Sequence, residues 1–243
     1  MNPLLNLHFD VRDELLDATL DCEESVFLES FGNTRNQLEE EYGPYNDQSL
    51  FIAVSDDSGL VVGACRIIRP GSRGLKTLND VGRQPWGVDG MRSARAAGID
   101  IDRTWDIATI GVRRQYRGPR LMVAMAMYHA IMRSTRINDV ATATAILDSA
   151  AFQVLADAGY LFTTLPGTAP APYLGSESSI PVYGHWTGLA DAQRRMFPEL
   201  YRLITLGIGI DGVAIPDDEA FDLQRKPILV AVASDGNGKE AAA

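Results

Sequence analysis

Between residues 11 and 30 the side chains of Leu15, Leu16, Thr19, Leu20, Val26 and Phe27 recur at helical spacing, which predicts one or two helices. Gly43 and Pro44 interrupt the pattern. Residues 50–54 and 60–68 then form two short apolar runs separated by Asp56, Asp57, Ser58 and Gly59. Two β-rich runs joined by turn-forming residues predict an antiparallel hairpin, ended by Pro70 and Gly71. Residues 71–103 are long and poor in apolar positions, the mark of a functional loop such as a lid or substrate rim. The centre is the clearest stretch: a strand at 105–112, a basic turn to Arg120, an apolar helix at 121–132, and a second strand at 140–147. A helix at 150–158, stopped by Gly159, completes a β-α-β-α unit with neighbouring parallel strands. An irregular connection at 166–172, a short strand around 182–186, a helix at 191–205, a glycine-rich turn at 207–212 and a last strand at 228–233 come next. Residues 235–243 read as a disordered tail, and there is no internal repeat. The expectation is one α/β domain over residues 1–243, with a mixed, partly parallel sheet flanked by helices.

Composition narrows the function. A chain of 243 residues that is 46% hydrophobic can build a core without metal or disulfide staples. Cys22 and Cys65 are far apart, and Cys65 sits in an apolar run where a buried thiol is common. The formal net charge of −10 repels nucleic acid and anionic lipid, so neither is an expected partner. No opening apolar run follows a basic stretch and the longest apolar segments are far too short to span a bilayer, so a cytoplasmic protein without stable membrane insertion is expected. His8, His129 and His185 have no metal-ligand spacing and no nucleophile partner, so no metal site is expected. One region reverses the acidic trend: Arg113, Arg114, Arg117 and Arg120 crowd the strand-to-helix turn, with Arg133 and Arg136 beyond it. Met122, Met125, Met127 and Met132 lie on the following helix, as core or as the adaptable wall of an acyl-chain tunnel.

The segment from Trp105 to Met122 resembles the central strand and following turn of the GNAT superfamily, with Val112, Tyr116, Arg117 and Gly118 in its Val-x-x-x-Tyr-Arg-Gly frame. Backbone N–H groups at such a helix start receive a cofactor phosphate. Arg120 and Met122 occupy the positions of that frame's later glycines. Four arginines in one turn suit the single phosphate and acidic surface of an acyl carrier protein. The stretch Glu41 to Asp47 and the run Gly63 to Pro70 resemble the acyl-homoserine lactone autoinducer synthases, with Arg66 on their arginine, Asp47 or Asn46 on their second aspartate, and Asp106 on the acid of their later strand. Gly43 and Thr109 depart from that pattern. The run Phe197 to Asp222 is similar to the ornithine-lipid and N-acyl amino acid synthases.

These resemblances imply a GNAT-like fold and an N-acyltransferase. It would take an acyl chain from acyl carrier protein, or else from coenzyme A, and pass it to the amine of an amino acid or related small molecule, with no bound cofactor. An autoinducer-like synthase using S-adenosylmethionine and a binding protein without turnover are the alternatives. Acyl transfer needs an oxyanion donor, assigned by position to the backbone of Ile110, and a proton acceptor, for which Asp106 and Asp47 are candidates. Arg66 is the candidate for a substrate carboxylate, or the group that Asp106 orients. Gly111, Val112, Arg113, Arg117, Gly118 and Arg120 are the donor-binding candidates, Gly111 by letting a pantetheine arm lie close. The position that carries a catalytic tyrosine in many acetyltransferases is Leu155 here.

Overall fold

The computed structural model describes residues 5–117 and 122–225. The expected last strand at 228–233, the tail, Gly118 and Arg120 lie outside the described residues. Apolar Leu5, Leu7 and Phe9 alternate with polar Asn6 and His8 to form β1 (Leu5–Phe9), a strand not expected from the sequence. One unbroken helix, α1 (Asp13–Phe31), comes next and closes on Gly32 in the left-handed conformation. A Thr34–Gln37 capping box opens α2 (Arg35–Tyr42), which runs into a 3₁₀ turn at Gly43–Gln48. The expected hairpin is β2 (Ser49–Ser55) and β3 (Val61–Ile68).

Residues 71–103 form a folded excursion in place of the expected open loop. It holds α3 (Lys76–Asp80), α4 (Gly90–Ala96) and a 3₁₀ turn at Ile101–Arg103. Leu75, Leu78, Val81, Ala94 and Ile99 pack with Leu165 into a small core of their own. Helices of five and seven residues are too short for hydrophobic periodicity to register. The chain then enters β4 (Thr104–Val112), α5 (Met122–Ile137), β5 (Thr142–Asp148) and α6 (Ser149–Asp157), as the central pattern predicts. After β6 (Thr163–Thr164), β7 (Ala171–Tyr173) and β8 (Ser176–His185) make a second hairpin. Its turn residues Leu174 and Gly175 both have positive φ, the geometry of a tight two-residue connection. β8 is longer than expected because its first half, Ser176 to Ser179, is polar. The expected helix at 191–205 starts earlier, as α7 (Trp186–Met196), and breaks at Pro198 into the single turn α8 (Pro198–Leu200) and a π-helical turn at Tyr201–Thr205. Two short elements, β9 (Val213–Ala214) and α9 (Asp218–Phe221), complete the described chain.

The strands form one sheet in the order β6-β8-β5-β4-β3-β2-β1-β9, with β7 paired to β8. Among the described residues only β4–β5 and β1–β9 are parallel. β2 shows how the two layers are built: Leu50, Ile52 and Val54 face the core beneath α5, while Phe51 and Ala53 face Cys22 and Val26 of α1. β3 is buried along its whole length, with Arg66 as its one charged residue. Among the described residues no helix is long and apolar enough to cross a membrane.

The excursion is closely packed at Gly90. A Cβ there would lie 2.0 Å from the carbonyl oxygen of Leu78, a backbone atom held inside the small core. Gly90→Ala is expected to lower stability by about 1–3 kcal/mol through that clash, beyond the ~1 kcal/mol that alanine gains over glycine in a helix. Urea unfolding checks it, and an unchanged midpoint would mean that the excursion yields freely.

Candidate active site

The sheet opens where β4 loses one of its neighbours. β4 and β5 pair only at Thr104, Trp105 and Asp106 with Thr142, Ala143 and Thr144. On the other edge of β4, Arg66 faces Thr109 but Ile67 faces Ile107, so Ala108 is an extra residue in the ladder. Such a bulge bends its strand and sharpens the twist, and here it falls just where pairing to β5 ends. β5 keeps β8 along its length, as far as Asp148 opposite Ser179. A wedge-shaped opening between β4 and β5 results.

Ile110 lies at the heart of this opening. The N–H of Arg113 donates to the carbonyl of Val62 at 2.9 Å, which fixes the alternation of the β3–β4 ladder. Counting back, Gly111 and Ala64 are the next hydrogen-bonded pair, and Ile110, opposite Cys65, falls in a non-bonded position. The N–H of Ile110 therefore points away from β3, into the gap that β5 leaves. Three hollows meet at this residue. One runs toward α3 and β7 past Asp106, Thr109 and Tyr173. A second, wholly apolar, is walled by Tyr128, Leu155, Tyr160, Phe162 and Trp186. The third is a groove between α1 and α6 that reaches Tyr116 and Arg117. Asp148 shares the first and third hollows with Ile110, so it is the carboxylate that borders their junction. Its Oδ1 caps α6 by accepting from the N–H groups of Ala150 and Ala151.

The first hollow is backed by buried charge. Arg66 makes a two-pronged pair with Glu23 of α1, through Nε at 3.1 Å and Nη2 at 2.6 Å, with both side chains 3% exposed. Its Nη1 donates to Asn46, Thr109 donates to Glu23, and the guanidinium lies between the rings of Tyr42 and Phe51. Lys76, equally buried, donates to Glu41, Asp80 and the Tyr173 hydroxyl. Asp106 accepts from the Thr77 N–H and hydroxyl. Burial pushes the Asp106 carboxyl up to about 7, against the opposing pull of the Thr77 hydrogen bonds.

The sequence-derived candidates separate in this geometry. Asp106, Ile110 and Val112 border the opening. Arg66 is committed to Glu23, a partner on α1 that no motif marks, and Asp106 to Thr77. Asp47 is exposed and borders a separate hollow with Arg69 and Asp102, because a 3₁₀ turn sends neighbouring side chains in different directions and it is Asn46, itself exposed, that reaches the Arg66 guanidinium. Gly111 seats α1: a Cβ there would lie 2.6 Å from Val26 Cγ1, so the space above it belongs to that helix. Arg113 bonds the Val61 carbonyl and Ser25, and Arg114 pairs with Glu29. Arg117 is exposed at the end of the groove, with Nε on the Val112 carbonyl. The buried residues Glu23, Lys76, Thr77 and Asp80, together with Asp148 and Tyr173, are site residues without a sequence motif.

No family model matches the sequence, and no curated protein sequence does. Solved structures do resemble it. A CoA-dependent acyl-homoserine lactone synthase, BjaI, solved with SAM and isopentyl-CoA, shares 16% identity, with 90% of this chain and 97% of that one covered at a TM-score of 0.55. FeeM, an N-acyl amino acid synthase from uncultured soil microbes, shares 11% identity over 79% of this chain and 95% of its own, at a TM-score of 0.59. The AHL synthase LasI shares 10% over 89% and 98%, at 0.50. At these identities the likeness is one of fold, and the fold is the GNAT-like one that the central motif implied.

The buried charges can be probed one at a time. Glu23→Ala leaves Arg66 buried without its carboxylate and is expected to cost about 3–5 kcal/mol in urea unfolding. Asp106 has a folded-state pKa above its unfolded value, so the folded protein holds its proton over a range where the unfolded chain has lost it. Its contribution to stability is full below about pH 4 and is lost as pH rises toward 7, a total on the order of a few kcal/mol. Asp106→Asn should flatten the decline of stability between those limits; an unchanged slope would place the raised pKa elsewhere.

Proposed function

We propose that the protein is an N-acyltransferase, which moves an acyl chain from a thioester to the amine of a small acceptor. The observation that carries this reading is the outward N–H of Ile110 at the meeting point of three hollows. A thioester carbonyl placed there puts its oxygen on that N–H, its acyl chain in the apolar hollow, its pantetheine arm in the groove, and leaves the first hollow, past Asp106, for the acceptor. The amine attacks the carbonyl carbon, negative charge collects on the oxygen held by Ile110, and the carbon–sulfur bond breaks as the thiolate leaves and takes a proton. The activities for which BjaI and FeeM are named, an acyl-homoserine lactone synthase and an N-acyl amino acid synthase, support the same class of chemistry.

Geometry decides the proton acceptor before pKa does. Asp106 is four residues upstream of Ile110, roughly 13 Å of extended chain, which is beyond direct reach of a carbon held at Ile110. Asp148 borders the junction itself and takes the amine's proton. Asp106 then holds the acceptor. For the donor, the groove ends at Arg117, exposed and basic in a chain whose net charge is −10. A local positive end suits an acyl carrier protein, with coenzyme A as the other source of the same thioester.

Asp148→Asn keeps the helix cap, because asparagine caps as well as aspartate, and removes the base; kcat is expected to fall about 10²- to 10⁴-fold with folding intact. Asp106→Asn should instead raise the acceptor KM and leave the acylation of hydroxylamine, which needs no acceptor pocket, nearly unchanged. Thiol release with acyl carrier protein and coenzyme A donors reads both. The double variant Arg117→Glu, Arg120→Glu is expected to weaken use of the carrier protein far more than it changes stability, and unchanged kinetics would overturn the carrier-protein assignment.

A further inference from the structure

The acceptor hollow, which owes that role to the acyl-transfer reading, has a chemical character of its own. The two buried cations beside it are already occupied. All three N–H donors of the Lys76 ammonium are taken, by Glu41, Asp80 and Tyr173, and the Arg66 guanidinium is held by Glu23 and Asn46 behind the ring of Tyr42. A carboxylate entering this hollow finds no free positive group among the described residues that line it. It finds Asp80, Asp106 and Asp148, and the rings of Phe27, Phe31, Tyr42 and Tyr173, of which the two tyrosines already have Lys76 over them. Carboxylates and aromatic faces together are what an ammonium group requires.

A second, independent feature lies just behind the lining, one alternate step along β5 from Ile146. Thr144 is fully buried, and its hydroxyl has no hydrogen-bond partner among the described residues. It stands opposite Asp106 in the β4–β5 pair. Ile146 and Asp148, which come after it at two-residue steps on β5, both line the hollow, so the pleat turns Thr144 to the same side. A buried hydroxyl without a partner costs free energy that a ligand donor would recover. Along the hollow, Asp106, Asp80 and Glu41 supply three carboxylates against the ammonium of Lys76 and the exposed guanidinium of Arg83, which lies 3.8 Å from Asp80, with Thr77, Thr109, Tyr42 and Tyr173 as neutral neighbours.

We infer that the acceptor is an aliphatic diamine without a carboxylate: one amine is acylated at the Ile110–Asp148 junction, while the other, as an ammonium, rests against Asp106, Asp80 and the Thr144 hydroxyl. The raised pKa of Asp106 agrees with a carboxyl that awaits a cation. The acidic chain as a whole draws cations toward the opening.

Three probes of matched shape test this: 1,4-diaminobutane, ornithine, which adds only a carboxylate, and butylamine, which lacks the second amine. Calorimetric titration of the intact protein is expected to show 1,4-diaminobutane binding about tenfold or more tighter than either of the others. Repeating it near pH 7 in buffers of different ionisation enthalpy should show proton release on binding, which Asp106→Asn abolishes. Thr144→Val should weaken the diamine by about tenfold without loss of stability, a combination that a purely structural hydroxyl would not give. Ornithine binding as tightly as the diamine overturns the inference, because a carboxylate is then accepted. Equal binding of butylamine overturns it too, because the far end is then not recognised, and so does a failure of all three to bind. Acylation of hydroxylamine reads the acyl-transfer chemistry separately, so loss of that reading is distinguishable from a wrong acceptor.

Discussion

Everything around the opening depends on one constraint: beyond Asp106, β4 has a ladder partner on only one side. The extra residue at Ala108 turns the strand away from β5 while β3 still holds it. A strand in the middle of a sheet normally bonds every N–H to its neighbours. Ile110 is left with an unbonded one in the interior of the molecule, and only the departure of β5 makes it accessible. The same departure creates the hollows, because nothing in the sheet fills the wedge.

The charged groups obey a related rule. Glu23, Arg66, Lys76, Asp80 and Asp106 are each at most 5% exposed, which is tolerable only because nearly every one has a hydrogen-bonded partner of opposite charge. Asp106 is the exception, matched by a threonine. Burial raises its proton affinity, and the uncharged Thr77 donors offset that rise only in part. Pairing also decides what the hollow offers an incoming molecule. Cations that look like binding residues in the sequence are engaged in holding the walls.

Much of the architecture was legible in the sequence, and the reason is local. The β2–β3 hairpin, β4, α5, β5 and α6 are long and strongly patterned, and the turns between most of them carry Gly, Asp or Ser. β1 and the helices of the excursion are short, and the first half of β8 is polar, so their signals are weak even though their positions are well defined by packing. Ile110 is singled out by its position in the motif, and the register of β4 turns its N–H toward the opening. The partners of Arg66 and Asp106 are not, since Glu23 is 43 residues from Arg66 and Thr77 is 29 from Asp106. Those pairs exist through the register of β3 against β4 and the way α1 and α3 lie on the sheet, which spacing along the chain does not express.

The three hollows that meet at Ile110 share part of their walls, since α1 and α6 border the first and the third and Tyr128 and Leu155 border the second and the third, but each also has a part of its own. Under the proposed reaction the point of transfer would lie at a backbone group, while α3 with β7, Phe162 with Trp186, and Tyr116 with Arg117 each belong to one wall alone. Residues confined to one wall can therefore change with little effect on the other two hollows, whereas a change at Asp148 or Leu155 is felt in two of them at once.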